Sequence, residues 1–154
     1  MRQRWVPVAV LAAVLFMINV VVRLVVRLGF DGDRAAEDRA TLVMFTVIGV
    51  LLAVVTFVRS RAVPPATWLP EITGAVLGGM LLTILVGPFV SGDTPFGGGA
   101  GNFFSQVWLY GGFAIVGTLL GYWIATAMGV DHRSKRLQAM AQARLGRPRR
   151  VVRR

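Results

Sequence analysis

The sequence predicts an all-α integral membrane protein: four transmembrane helices, both termini cytoplasmic, with the third and fourth helices tightly packed through glycine stripes. Three observations predict it. Four apolar runs, residues 5–22, 41–58, 72–90 and 106–128, fill most of a 154-residue chain that is 55% hydrophobic, with a mean hydropathy of +0.66. Each is near or above the roughly 20 residues that cross a hydrocarbon core. None alternates apolar and polar residues as a barrel strand would, and backbone in lipid must satisfy itself, so the runs read as helices. The basic residues gather on one side of that topology. The expected helices lie at about 5–28, 41–58, 70–90 and 105–129, a bundle over 1–130 followed by a basic tail over 131–154.

The first helix follows the basic "MRQR" and enters lipid at Trp5. No small-x-small cleavage site follows the apolar segment, so it reads as a retained anchor rather than a signal peptide. Asn19, Arg23 and Arg27 recur every four residues and form one polar stripe. Arg23 lies 18 residues beyond Trp5, about 27 Å along a helix. It and Arg27 can therefore reach the outer headgroups and avoid the bilayer centre, where an arginine costs about 2.5–3.5 kcal/mol. The connection "GFDGDRAAEDRA" supplies Asp31, Asp33, Glu37 and Asp38 against Arg23, Arg27, Arg34 and Arg39. An interfacial anchor with a self-neutralising outer loop is the first expectation; a site for an anion or a partner protein is the second.

The second helix carries a weak small-residue pair, Gly49 and Ala53. In "RSRAVPPATWLPEITG", Pro70 and Glu71 suit the first turn of the third helix. That helix places Gly74 and Gly78 four apart, and Gly79, Thr83 and Gly87 at the same step; Gly87-Pro88 should bend or end it. "SGDTPFGGGAGNFF" is expected as a flexible outer loop. Its glycines lack the preceding strand and closing GK[ST] of a phosphate loop. The fourth helix has Gly117, Gly121, Ala125 and Gly129 in one row. Small residues let helix backbones approach in lipid, hence the expected pairing of this row with the third helix.

Residues 133–145 keep a helical spacing, and "RPRRVVRR" follows. Arg133, Lys135, Arg136, Arg144, Arg147, Arg149, Arg150, Arg153 and Arg154 are expected to contact anionic lipid headgroups, at about 1 kcal/mol each. Nucleic acid is disfavoured, because no aromatic residue interleaves these arginines. With the N-terminus inside, 13 basic residues face the cytoplasm and 4 face out, which sets the orientation. Trp5, Trp68 and Trp123 would then mark the inner interface and Trp108 the outer one. Sixteen arginines against one lysine, beside abundant Ala, Val, Gly and Leu, point to a GC-rich bacterium and its plasma membrane.

The apolar runs hold no Asp, Glu, Lys or His. Their deep polar residues are Asn19, Thr46, Thr56, Thr83, Thr118 and Thr126, and helical threonines usually bond their own backbone. Proton-coupled transport lacks the titratable group it needs. One histidine, His132, and no cysteine make no metal site, and no cofactor motif is present. His132 reads as a charge beside the C-terminus of the fourth helix. Ser60, Ser91, Ser105 and Ser134 have no base nearby in sequence, so an enzyme is not expected. The first functional expectation is a non-catalytic structural or accessory subunit of a membrane assembly, bound to another membrane protein or to its own copies. The alternative is a small channel or carrier for an anion or an apolar solute, using Asn19, Arg23 and Arg27. The direction in which that stripe points separates the two.

Overall fold

The computed structural model describes residues 5–29, 34–92 and 94–145, which hold helices and turns but no strand. The expected loop acids Asp31 and Asp33 and the tail residues Arg147, Arg149, Arg150, Arg153 and Arg154 lie outside the described residues. So do the side chains of Arg34, Glu37 and Arg144. The helices are α1 (Trp5–Gly29), α2 (Arg34–Ala62), α3 (Pro65–Leu81), a π-helical turn (Leu82–Val86), α4 (Gly87–Ser91), α5 (Gly99–Ala127) and α6 (His132–Leu145). Four stretches are long and apolar enough to cross a membrane: α1, most of α2, α3 through α4, and α5. This is a multi-pass membrane protein.

Its surface fits that solvent. Val10, Val14, Val50, Val54, Leu119 and Trp123 are exposed, while Asn19, Thr56, Ser60 and Thr83 are buried. In water so much exposed apolar surface would drive association; in lipid it is the solvated face.

Two seams of small residues hold the bundle. A β-carbon added to Gly74 would meet Val8, one on Gly78 would meet Ala12, and one on Gly79 would meet Leu15. The two sets of numbers rise together, so α1 and α3 run parallel, side by side. A β-carbon on Gly117 would collide with the Gly49 carbonyl, and one on Gly121 with that of Ala53. By the same reasoning α2 and α5 are parallel and in backbone contact. This corrects the expected pairing of third and fourth helices: Gly117 and Gly121 face α2, and Gly74 and Gly78 face α1. The reason is reciprocity. Gly49 and Ala53 also stand four apart, so small residues meet small residues on both sides of the α2–α5 seam, and backbones can touch. Gly129 leaves the packing set altogether. With φ +65° it ends α5 in the left-handed conformation, its N–H bonded to Thr126 O at 2.9 Å.

Between the seams lies one core, with Leu15, Phe45, Ile48, Leu52, Ile72 and Tyr110 at its centre. Trp68 belongs to it. Only 3% exposed and 5.8 Å from the Tyr122 ring, it is not the interfacial marker expected, whereas Trp5, Trp108 and Trp123 are well exposed.

Helix ends depart from the apolar runs for local reasons. α2 starts at Arg34, seven residues before its run, because Ala, Glu and Arg are good helix formers whether or not they enter lipid. α3 starts at Pro65, where a missing N–H costs nothing, so Pro70 falls inside the helix. Gly87-Pro88 does not end the third span. Pro88 cannot bond Ile84 O and its ring would crowd that carbonyl. The turn before it widens, Gly87 N–H reaching back to Leu82 O, and α4 then continues to Gly92 at φ +83°. The glycine-rich connection is shorter than expected, since Gly99 and Gly101 already lie in α5. His132 opens α6 instead of closing α5.

Candidate functional site: a polar cavity at the loop end of the bundle

The end of the bundle that carries the α1–α2 connection is unlike the rest. Here α1, α2 and α5 line an open cavity of about 910 Å³. Its deepest polar group is Asn19, ten residues before the end of α1, or about 15 Å down the helix.

Asn19 is fully buried and ties α1 to α2. Its amide Nδ2 donates to Met44 Sδ on α2 at 3.1 Å, and its Oδ1 accepts from Arg23 Nε at 3.2 Å. It fits because Gly87, at the start of α4, has no side chain: a β-carbon there would stand 2.7 Å from Asn19 Oδ1 and 3.2 Å from Arg23 Nε. Gly87 was expected to serve the pairing of third and fourth helices. It instead makes room for the polar stripe. Arg27, one turn beyond Arg23, donates from a terminal nitrogen to Val90 O at 3.0 Å. A cation on the last carbonyls of α4 is favourable, since that end of a helix is partially negative. So the stripe is not directed at headgroups alone; Asn19 and Arg23 turn into the bundle.

The opposite wall was not foreseen. Asn102, Ser105 and Gln106 of α5 line the cavity, with Asp38 and Thr41 of α2 near its rim. Asn102, Ser105 and Gln106 stand at i, i+3 and i+4, a spacing that puts them on one helix face. Reading residues 91–104 as loop hides Asn102 from that face, whereas Ser105 and Gln106 fall in the expected helix. Apolar Val22, Val26, Leu42 and Leu109 complete the walls, and Phe45 closes the floor. The Phe45 ring packs edge-on to Tyr110 and stacks on Phe113, each at 6.2 Å. Beneath it Leu15, Ile48 and Leu52 are fully buried. The cavity is thus polar above and sealed by packed side chains below.

The threonines of the spans divide. Thr46 and Thr126, both exposed, bond their own helix at Leu42 O and Tyr122 O, as helical threonines do. Thr56, Thr83 and Tyr110 instead present buried hydroxyl oxygens with no hydrogen-bond partner among the described residues.

At the other end, α6 is tied down by its own start. The Asp131 carboxylate accepts from the N–H groups of Arg133 (3.1 Å) and Ser134 (3.4 Å), capping the helix. Hydrogen bonds from Ser134 and the backbone hold its pKa below the usual carboxylate value. Lys135 Nζ donates to Arg61 O at the end of α2 (3.1 Å), and Arg59 pairs with Glu71 across α2 and α3 at 3.2 Å. Among the described residues no group of His, Cys, Asp and Glu could hold a metal ion. No known protein family, characterised protein or solved structure matches this chain.

Proposed function

We propose that the protein is a small, non-catalytic carrier or channel of the bacterial plasma membrane, and that its loop-end cavity takes up an anion from the outer side. One observation supports this reading: half-buried Arg23 lines a cavity between helices, above the buried Asn19. Arginine inside a membrane bundle is costly, and its usual compensation is function. In this reading both termini are cytoplasmic, as the distribution of basic residues favours. Arg133, Lys135 and Arg136 of α6, with the arginines that follow, rest on the anionic inner leaflet. The packed layer of Leu15, Ile48 and Leu52 is then the closed barrier a solute must pass; apolar constrictions close pores by excluding water.

The test is flux. Protein reconstituted into liposomes should pass an anion down its gradient, and Arg23→Gln should lower the rate while the protein stays folded. Reconstituted protein that moves no anion faster than empty liposomes would end the carrier reading.

The same sealed floor favours a second proposal, an accessory subunit that holds a group without passing it. The cavity would then receive an acidic side chain of another membrane protein or a second copy. A protein that co-purifies in mild detergent, and is lost on Arg23→Gln, would support it.

A further inference from the structure

Buried hydroxyls seldom go without a partner, and two that do stand on different helices in the middle of this bundle. Tyr110 of α5 is fully buried, and Thr83, in the π-helical turn, is 2% exposed. Neither hydroxyl oxygen has a hydrogen-bond partner among the described residues. Tyr110 reaches across to α3, where a β-carbon on Gly79 would stand 2.8 Å from its Oη. Thr83 lies four residues past Gly79 on the same face of that span, with about 5–6 Å between their β-carbon positions. The two hydroxyls are therefore near neighbours that do not bond each other.

The local backbone does not relieve them. Thr46 and Thr126 settle on the carbonyl four residues back, and Thr83 does not. Gly87 N–H bonds Leu82 O, and in that register the donor for Thr83 O would be Pro88, which has no N–H. Thr83 thus brings a second oxygen that its own helix leaves unserved. The walls are apolar: Leu15 Cβ stands 3.1 Å from the Gly79 β-carbon position, and Ile84 is 4% exposed. Toward the cavity, Gly87, one turn past Thr83, lies against Asn19.

We infer that Tyr110 and Thr83 bind a water molecule between them, just below Asn19, so that polar contact extends from the cavity to the middle of the bundle. A buried hydroxyl without a hydrogen bond is costly, and a buried water typically makes about three. Tyr110 Oη, Thr83 Oγ1 and Thr83 O supply that number. An ion would find no countercharge among these groups. The site stands whether the cavity above it passes a solute or only receives a side chain.

Water-edited solid-state NMR of 13C-labelled protein in phosphatidylcholine bilayers tests this, with water as the probe. Magnetisation from water should reach Thr83 Cβ and Tyr110 Cζ several-fold faster than the equally buried Ile48 and Leu52. Tyr110→Phe should slow the transfer to Thr83, whereas Thr83→Ser, which keeps the hydroxyl, should preserve the transfer to Tyr110. Tyr110→Phe and Thr83→Val should each lower the unfolding temperature by about 2–4 °C. Their combined effect should be less than the sum, because one bridging molecule couples them. Transfer to Thr83 and Tyr110 as slow as to Leu52 would overturn the inference. So would substitutions that raise the unfolding temperature or leave it unchanged, the result for hydroxyls that are dry.

Discussion

The two ends of the α2–α5 pair are built on opposite rules. Toward the tail end, Gly117 and Gly121 let α5 lie against the α2 backbone at Gly49 and Ala53, with no room for even a methyl group. Toward the loop end the same two helices are held by rings, Phe45 with Tyr110 and Phe113, and beyond the rings lies the cavity. In lipid, where apolar contact with a neighbour gains little over apolar contact with acyl chains, close packing comes from small residues and space comes from large ones. A bundle can thus be rigid at one end and receptive at the other without a change of topology.

The strongest way to break this contrast is to put bulk in the seam. Gly117→Leu and Gly121→Leu should prevent assembly of the native bundle, and even Gly117→Ala should cost about 1–3 kcal/mol because the new methyl meets backbone. Val116→Leu, on the exposed face, should be tolerated. Thermal unfolding in detergent gives the comparison, and equal losses for Gly121→Leu and Val116→Leu would mean that the seam does not hold the bundle.

Next in size is the cavity floor. Asn19→Leu removes the acceptor for Arg23 Nε and the donor to Met44. A loss of about 1–3 kcal/mol is expected, because a partly buried cation loses a hydrogen bond. Gly87→Ala should act in the same direction, by displacing Asn19 Oδ1. If both substitutions proved neutral, the polar stripe would not be structurally fixed.

A smaller effect separates α6 from the bundle. Asp131→Ala should cost about 1 kcal/mol at the start of α6, read as faster amide exchange there with α2 and α5 unchanged. Because its pKa is depressed in the folded protein, this contribution is fully present above the ordinary carboxylate pKa, about 3.9, and is lost as pH falls through the lower folded value. The wild-type cap should therefore hold at pH 5 and weaken only in stronger acid; loss of α6 protection already at pH 5 would contradict it. The least effect is expected at Gly112, where an added β-carbon meets nothing within 4 Å. Gly112→Ala should stabilise α5 by up to about 1 kcal/mol through helix propensity alone.

Sequence periodicity was a good guide to what depends on one helix at a time. The four spans, the small-residue rows and the Asn19–Arg23–Arg27 stripe are all properties of a single helix, and each can be read from spacing. Which row meets which is a property of two helices. Gly117 and Gly121 could have faced α3 or α2, and nothing within α5 decides between them. The buried state of Trp68 and the seat that Gly87 gives Asn19 belong to the same class, since both are defined only once a second helix is in place. The α5 wall of the cavity was lost for a different reason. A run of glycines masks a helix start, and Asn102 joins the face of Ser105 and Gln106 only once that start is known.

The widened turn at Leu82–Val86 has a consequence for the screw sense of everything after it. A turn that closes on the fifth residue carries about one residue more than the 3.6 of an ordinary helix. The chain that follows is thereby swung by roughly 100° about the helix axis relative to an unbroken spiral. That swing sets where the Val90 carbonyl points, and so fixes where Arg27 finds its acceptor. Shortening this turn by one amino acid would leave the composition of the span almost untouched, yet it would dial Val90 away from the first helix and unfasten the rim of the cavity.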